Sequence, residues 1–218
     1  MKIARDGFGI IGVLVVCNSL LTIAYLSRPL TWHPFLLIFG WLLTALVIFF
    51  FRDPQRTIPT GTNIVIAPAD GRIVQITETY EQHHFKSRVQ QISIFLSLYD
   101  VHINRIPISG TIVYFDHLNG KFRPAFTKRA SLENEHTIIA IEDNGRRVVF
   151  KQIAGIIARR IVCHVTAGSK VTAGQKFGMI RFGSRIDLFL PPDVELNVHE
   201  NDKIIGGETI IGRFTCST

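Results

Sequence analysis

The sequence has few cysteines and few charged residues, and each scarcity excludes a class of protein. Only three cysteines occur, Cys17, Cys163 and Cys216, and they lie far apart with no CxxC pair. This spacing supports neither a disulfide scaffold nor a zinc site. Charged residues make up 19% of the chain, against roughly 25% in soluble globular proteins, while apolar residues make up 47%. The composition therefore excludes a disordered chain and a coiled coil. It also raises the question of which segments contain the excess apolar residues.

Acidic residues are also scarce relative to basic ones. The chain has 17 Asp and Glu against 24 Lys and Arg, and its formal net charge is +7. There is no long Lys/Arg run and no zinc or helix-turn-helix pattern, which argues against nucleic acid as the anionic partner. An anionic membrane leaflet is the better match, because it attracts basic residues by about 1 kcal/mol each near the surface.

The apolar excess lies in two uncharged runs, residues 8–26 and 35–51. At 1.5 Å per residue each would form a helix about 25–29 Å long, close to the ~30 Å hydrocarbon core of a bilayer. The runs predict a membrane-spanning helical hairpin within residues 1–51. A shallow or re-entrant hairpin and a pair of buried core helices are the alternatives.

Positively charged residues flank this hairpin and are rare in its loop. The connecting loop carries one, Arg28, whereas the two flanks carry Lys2, Arg5, Arg52 and Arg56. Because positive residues tend to stay on the cytoplasmic side, this bias predicts cytoplasmic termini. A domain of residues 52–218 would then lie on the cytoplasmic side of the cell membrane.

Residues 52–218 consist of short β-branched runs separated by turn residues. Several runs alternate with period two, so that Val148, Phe150 and Gln152 would share one face of a strand. The dipeptide Asn144-Gly145, between HTIIAIED and RRVVFKQI, predicts a tight hairpin. The predicted fold is mainly β, a barrel-like or sandwich domain with few helices.

Two segments of this domain, NIVIAPADGRIV and AGSKVTAGQKFGMI, are similar to the two halves of biotinyl- and lipoyl-type barrels. Such barrels hold their prosthetic group on a lysine at a hairpin tip. The comparable tip, in the segment PADG, has no lysine. The sequence therefore argues against a group-carrier domain.

Gly183 and Ser184 lie between two strand-like runs, KFGMIR and RIDLFLP. A plain turn is one interpretation. In a strained turn, however, the serine hydroxyl can attack the glycine carbonyl, which no side chain shields, and convert the amide to an ester. β-Elimination then cuts the chain and leaves a dehydroalanine, which hydrolyses to a pyruvoyl group. The reaction needs a base for the serine proton and donors for the oxyanion.

Further polar residues that could serve such chemistry follow predicted strands. One cluster comes directly after QISIFLSL and comprises Asp100, His102, Asn104 and Arg105. Polar residues at strand ends often form sites, although a solvated turn with an Asp–Arg pair is the alternative. Asp70 belongs to an Ala-Pro-Ala-Asp-Gly segment that also reads as a plain turn, and His117 adjoins a long polar loop.

Taken together, these motifs resemble the phosphatidylserine decarboxylases in their short form. The matching segments cover most of residues 35–215, and as an ordered set they are specific. They are Phe51-Arg52-Asp53-Pro54-x-Arg56, Ala67-Pro68-Ala69-Asp70-Gly71, Leu96-Ser97-x-x-Asp100-Val101-His102-x-Asn104-Arg105-x-Pro107, Gly120-Lys121-Phe122, Ser131-x-x-Asn134-Glu135, Gly155-x-x-Ala158-Arg159 and Phe182-Gly183-Ser184-Arg185-x-Asp187-x-x-x-Pro191.

The resemblance implies a proenzyme that cleaves itself between Gly183 and Ser184. It would yield a β chain of residues 1–183 and an α chain of residues 184–218, which begins with a pyruvoyl group made from Ser184. That covalent cofactor would form a Schiff base with the amine of phosphatidylserine in the membrane and act as electron sink for loss of CO₂, with phosphatidylethanolamine as product. The resemblance implies no metal.

The resemblance also implies roles for individual side chains. His102 would lie near the substrate carboxylate and transfer a proton at Cα. Asp70 matches the aspartate that belongs to an Asp-His-Ser self-cleavage triad in the longer bacterial enzymes. Where those enzymes have a second histidine, this chain has Arg105, so the base for Ser184 is His102, His117 or, more directly, Asp70.

Arg105 could instead bind a substrate carboxylate or phosphate through its bidentate guanidinium, and Asn104 is a further candidate for substrate binding. Three alternatives remain open at this point. The chain could be a non-catalytic, membrane-anchored barrel that binds a partner, or an inactive relative of the family. The same chemistry could also act on an ether-linked phosphoserine lipid, and a homo-oligomer is compatible with any of these functions.

Overall fold

The computed structural model describes residues 2–61, 63–81, 84–121, 123, 133–155, 161–180 and 184–215. The chain divides into two units, Met1–Gln55 and Arg56–Thr218. The first unit contains two α-helices, and the second is built from β-strands. The prediction of a mainly β, barrel-like domain preceded by an apolar helical hairpin is therefore confirmed.

The first unit is the helical hairpin, formed by α1 (Phe8–Ser27) and α2 (His33–Phe50). Two short strands, β1 (Lys2–Ile3) and β2 (Arg52–Asp53), pair antiparallel at its open end. Helix α2 begins two residues before the apolar run that predicted it. The reason is that Pro34 is tolerated in a first helical turn, where its missing N–H would have no partner inside the helix.

Both helices are long and apolar enough to cross a membrane. The first, counted from Arg5, has 23 residues and the second has 18. Only 6% and 22% of their most apolar windows are buried within the chain. Because a core helix of a soluble protein is mostly buried, this exposure favours contact with lipid over the alternative of buried core helices.

A polar contact joins the two helices. Asn18 Nδ2 donates to the Gly40 carbonyl at 3.1 Å and to Thr44 Oγ1 at 2.9 Å. A Cβ atom at position 40 would collide with Asn18 Oδ1, so any larger residue there would force the Asn18 side chain to move. Small residues and hydrogen bonds of this kind are what hold helix pairs together in lipid, where apolar burial gives no driving force.

The second unit contains fourteen strands in the part of the chain that the structure describes. They are β3 (Ile64–Ile66), β4 (Gly71–Glu81), β5 (Ser87–Leu96), β6 (Ile103–Arg105), β7 (Gly110–Leu118), β8 (His136–Asp143), β9 (Arg146–Ile153), β10 (Ile161–Cys163), β11 (Lys170–Val171), β12 (Lys176–Ile180), β13 (Ser184–Leu190), β14 (Val194–Leu196), β15 (Lys203–Ile204) and β16 (Ile210–Phe214).

These strands form one large and two small antiparallel sheets. The large sheet has the order β11-β7-β8-β9-β13-β5-β4-β15, and the small sheets have the orders β10-β12-β6 and β14-β16-β3. Side chains from all three sheets share one apolar core. Strand β13 lies in the middle of the large sheet, and all seven of its residues are buried. The first residue of β13, Ser184, is therefore shielded from water.

The predicted hairpin between β8 and β9 is present. Asn144 and Gly145 form its two-residue loop, and both have positive φ, at 48° and 79°. This conformation matches the right-handed twist of the flanking strands and is tolerated by asparagine and glycine.

The two faces of β13 differ in chemistry. Ile186, Leu188 and Leu190 point into the apolar core, and by strict alternation Ser184 shares that face. Arg185 and Asp187 point to the opposite face.

On that opposite face, Arg185 Nε donates to Asp187 Oδ1 at 2.5 Å, and Arg185 Nη2 donates to Ser93 Oγ at 2.7 Å. Burial lowers the pKa of the nearby Lys151, while the charges of Asp187 and Glu81 oppose that shift. Because breaking a buried ion pair leaves an uncompensated charge, this network fixes the strand that begins at Ser184.

Candidate active site

Ser184 is the first residue of β13 and pairs with Leu96 at the end of β5. Its side chain is fully buried on the core face of the sheet. The hydroxyl oxygen has no hydrogen-bond partner among the described residues. Buried hydroxyls normally find a partner, so an orphaned one at this position needs a functional explanation. Gly183, the other residue of the predicted cleavage site, lies outside the described residues.

The polar cluster after β5 begins next to the strand partner of Ser184. Ser97 donates to Asp100 Oδ2 twice, from its backbone N–H at 2.8 Å and from its hydroxyl at 2.6 Å. His102 is fully buried, and its Nδ1 lies 3.0 Å from the Asp100 carbonyl oxygen. Since a carbonyl only accepts, Nδ1 carries the proton, and Nε2 of the neutral ring is the basic nitrogen.

Asn104 lies on β6, at the point where this strand covers the core face of the large sheet. Its Oδ1 accepts a hydrogen bond from Gln152 Nε2 at 2.7 Å, and Gln152 Oε1 in turn accepts one from the Thr137 hydroxyl at 2.8 Å. All three side chains are fully buried. The structure therefore connects Asn104 to residues of β8 and β9.

Arg105 is almost fully buried, on the opposite side of β6. Its Nη1 donates to the Gly174 carbonyl at 2.9 Å. A Cβ atom at Gly207 would come within 2.6 Å of Arg105 Cδ, so the side chain packs directly against that glycine. The backbone N–H of Arg105 donates to the Pro68 carbonyl at 2.8 Å, which ties β6 to the Asp70 turn.

Asp70 immediately precedes β4 and uses both carboxylate oxygens. Oδ2 accepts from Arg56 Nη2 at 2.6 Å, and Oδ1 accepts from the Gly206 N–H at 2.8 Å. Strand β5 separates β4 from β13, so Asp70 lies two strand spacings, about 10 Å, from the backbone of Ser184. The charged partner of Asp70 among the described residues is thus an arginine, Arg56.

The pKa of Asp70 is raised above its ordinary value of 3.8, chiefly because burial disfavours the charged form. The Gly206 N–H and Arg56 lower this pKa, and the charge of Asp100 raises it. A raised carboxyl pKa means that the folded state binds the proton more tightly than the unfolded state. Asp70 therefore contributes less to stability as the pH rises above 3.8.

Replacing Arg56 by glutamine is expected to destabilise the chain in a pH-dependent way. The substitution removes the cation that offsets the buried charge, so the pKa of Asp70 rises further. We expect a loss of roughly 1–3 kcal/mol at pH 7.5 and a smaller loss at pH 4.5, where more of Asp70 is protonated and needs no cation.

Thermal unfolding in detergent at both pH values measures this loss, with the comparison made in a Ser184→Ala background that excludes the self-cleavage implied by the resemblance. The added substitution Asp70→Asn is the control, and it should recover stability at pH 7.5. An equal loss at both pH values would contradict the assignment.

His117 lies on β7 and is distant from Ser184. It pairs across the sheet with Thr137, which pairs with Gln152, which pairs with Ile186 of β13. Three strand spacings, about 14 Å, therefore separate His117 from β13. Its half-exposed ring contacts Glu135, with Nε2 and Oε1 2.9 Å apart. The structure does not bring His117 to the buried hydroxyl.

Comparison with known proteins decides the family. The sequence model described as phosphatidylserine decarboxylase matches residues 43–212. A phosphatidylserine decarboxylase proenzyme of Geobacter metallireducens is 40% identical over 211 residues, which are 96% of this chain and 95% of the relative. The chain belongs to the phosphatidylserine decarboxylase family. It is therefore a decarboxylase, and the resemblance inferred from its motifs is confirmed.

Other phosphatidylserine decarboxylase proenzymes give the same result. One of Magnetococcus marinus is 38% identical over 97% of this chain and 95% of its own length. One of Wolbachia pipientis wMel is 46% identical over 78% of this chain and 76% of its own length.

Sequence reasoning missed three residues that the structure connects to the candidate site of this decarboxylase, Arg56, Thr137 and Gln152. A signal was present for Gln152, because it continues the face of Val148 and Phe150 and is therefore a polar residue at a core position. The pairing of Thr137 with Gln152 depends on the hairpin register, which Asn144-Gly145 specifies. No local pattern indicates the contact of Arg56 with Asp70.

Proposed function

We propose that this decarboxylase is a proenzyme that cleaves itself between Gly183 and Ser184 and then converts phosphatidylserine to phosphatidylethanolamine and CO₂. The carrying observation is the fully buried Ser184 hydroxyl, which has no partner among the described residues and begins a central strand. An unpartnered hydroxyl retains its lone pairs for nucleophilic attack. The relatives are named proenzymes, which supports processing of the chain.

The surroundings of residue 184 fit a pyruvoyl group made from this serine. Residue 184 is buried and begins a strand that the Arg185–Asp187 ion pair holds in place. It also lies beside the polar segment that follows β5. When formed, the group supplies an electron sink for loss of a carboxylate from an amine substrate. Because residue 184 is anchored through the side chains that follow it, the new chain end would stay in the sheet after cleavage.

We assign His102 the proton transfers of the site. Its Nδ1 is directed to the Asp100 carbonyl, so its ring orientation is fixed and Nε2 is the basic nitrogen. Its segment starts at the residue paired with Ser184, whereas His117 lies about three strand spacings away. His102 would take the serine proton during cleavage and would later return a proton to the substrate Cα.

Asp70 and Arg105 support the site in our proposal. Both oxygens of Asp70 already accept hydrogen bonds, so it stabilises the surrounding turns and does not itself take the serine proton. Arg105 donates to Gly174 through one nitrogen, and its planar, cationic guanidinium has the chemistry to bind an anionic lipid head group.

The hairpin would anchor the enzyme in the membrane that contains its substrate. We place both termini in the cytoplasm, because the flanks are more basic than the loop at Arg28. A cysteine introduced at Ser27 should be labelled by a membrane-impermeant thiol reagent from outside a spheroplast. Labelling only after lysis would show that the loop lies on the cytoplasmic side, either because the topology is opposite or because the hairpin is shallow.

The mass of the smaller product tests the proposed function most directly. The purified protein should contain two chains of 183 and 35 residues, and the 35-residue chain should begin with a carbonyl that reacts with a hydrazine reagent. It should also release CO₂ from phosphatidylserine in mixed micelles. A stable, uncleaved chain of 218 residues without this activity would favour a non-catalytic relative.

A further inference from the structure

Two polar groups on the core face of the large sheet are buried without a partner among the described residues. One is the Ser184 hydroxyl, and the other is the Nδ2 amide nitrogen of Asn104. Both residues are fully buried. A buried amide nitrogen that makes no hydrogen bond loses the free energy of its contact with water, so its retention points to a partner that forms during the reaction.

A relay of side chains fixes the orientation of this amide. The Thr137 hydroxyl donates to Gln152 Oε1, which directs Gln152 Nε2 toward Asn104. Because Gln152 Nε2 is a donor, Asn104 must present its oxygen to Gln152 and turn its own nitrogen away. Neither Thr137 nor Gln152 has a role in the chemistry described above, and neither is exposed.

The middle residue of the relay, Gln152, lies near Ser184 on the core face of the sheet. Gln152 pairs across the sheet with Ile186, and Ser184 lies two residues from Ile186 on the same face. Gln152 and Ser184 are thus diagonal neighbours, about 7–8 Å apart, a distance that side chains can bridge. Asn104, on β6, contacts the same part of the core face, because its side-chain oxygen lies 2.7 Å from Gln152 Nε2.

We propose that Asn104 Nδ2 donates a hydrogen bond to the side-chain oxygen of residue 184 during self-cleavage, and that Gln152 and Thr137 are positioning residues that act through Asn104. This inference rests on the proposed function, since it names a donor for that reaction.

The donor is most useful in the second step of self-cleavage. In the first step, Ser184 Oγ loses its proton and attacks the carbonyl carbon of residue 183. The peptide C–N bond breaks, and the nitrogen takes up a proton to give an ester. In the second step, the Cα proton of residue 184 is removed and the Cβ–Oγ bond breaks.

The side-chain oxygen then leaves as part of the carboxylate of residue 183, and water later replaces the nitrogen of the dehydroalanine as ammonia. In the first step the charge that deprotonation leaves on Oγ passes to the carbonyl oxygen as the new bond forms, whereas in the second step Oγ gains negative charge and keeps it. A donor aimed at that oxygen therefore accelerates elimination more than ester formation.

The test is the processing of Asn104→Leu, which keeps a similar volume and removes the amide. We expect the 35-residue chain to appear about 10- to 100-fold more slowly than in the wild type. We also expect the ester to accumulate, so that hydroxylamine added to the denatured full-length protein releases the two halves. The small chain released in this way begins with serine, and the large chain ends in a hydroxamate.

A matched pair at Thr137 keeps the test independent of a folding defect in Asn104→Leu. Thr137→Val removes only the hydroxyl and should show the same accumulation of ester to a smaller degree, whereas Thr137→Ser should process like the wild type. Gln91→Leu, which alters an amide on the opposite face of the sheet, is the control and should also process normally.

Wild-type processing rates in both Asn104→Leu and Thr137→Val would overturn the inference, as would slow processing without a hydroxylamine-sensitive species. Failure of the proposed function looks different, because the wild type itself would then yield no small chain.

Discussion

Replacing Ser184 by alanine is expected to leave the chain intact at 218 residues and to abolish decarboxylation. The substitution removes the only nucleophile of the proposed cleavage and the atom whose loss creates the pyruvoyl group. It removes little else, because the hydroxyl has no partner among the described residues and the strand is held by Arg185 and Asp187. The variant should therefore fold and insert in the membrane like the wild type.

Three measurements test this expectation together. They are the mass of the chain, its reaction with a hydrazine reagent and its release of CO₂ from phosphatidylserine. Ser184→Cys is the informative control. A thiol is also a nucleophile, and sulfur leaves in the elimination just as oxygen does, so this variant should yield the same pyruvoyl-bearing small chain at a different rate. A Ser184→Ala protein that is still cut between residues 183 and 184 would mean that another protein performs the cleavage.

Much of this architecture can be predicted from the sequence because it depends on local signals. Two uncharged runs of sufficient length predict the hairpin, and Asn144-Gly145 predicts the β8–β9 connection with its register. Gly183-Ser184 predicts a cleavage site, because the glycine leaves its carbonyl unshielded and the serine supplies a nucleophile. These signals need no information about distant parts of the chain.

The assembled site cannot be predicted in the same way, because it depends on long-range pairing. Asn104, Thr137 and Gln152 are spread over three strands, and only the sheet order and the crossing of β6 bring their side chains together. The turn at Asp70 is a similar case. Its charge is compensated by Arg56 on an irregular segment and by the backbone of Gly206, far along the chain.

Self-cleavage and decarboxylation both need a group that transfers protons, and the site described above contains one histidine for this task, His102. Where the resemblance implies a second histidine, this chain has Arg105, which is bonded to Gly174. His117 is half-exposed, bound to Glu135 and about three strand spacings from β13. One buried histidine, His102, would then serve both self-cleavage and decarboxylation, at different times.

Replacing His102 by glutamine is accordingly expected to impair both reactions. Loss of a general acid–base group typically costs 10²- to 10⁴-fold, so self-cleavage should slow by about that factor. Glutamine keeps a side-chain amide that can donate to the Asp100 carbonyl, as His102 Nδ1 does, and so preserves the local turn. The molecules that are eventually processed should release CO₂ at least about 100-fold more slowly per small chain.

Normalising CO₂ release to the amount of pyruvoyl-bearing small chain separates the two effects, because a pure processing defect disappears on this scale. His117→Gln is the matched control, with the same chemical change about three strand spacings from β13, and it should leave both rates within about threefold. If His102→Gln matched the wild type per processed chain, His102 would act in cleavage alone and another group would protonate the substrate. If His117→Gln gave the larger loss, the assignment of both proton transfers to the buried His102 would be wrong.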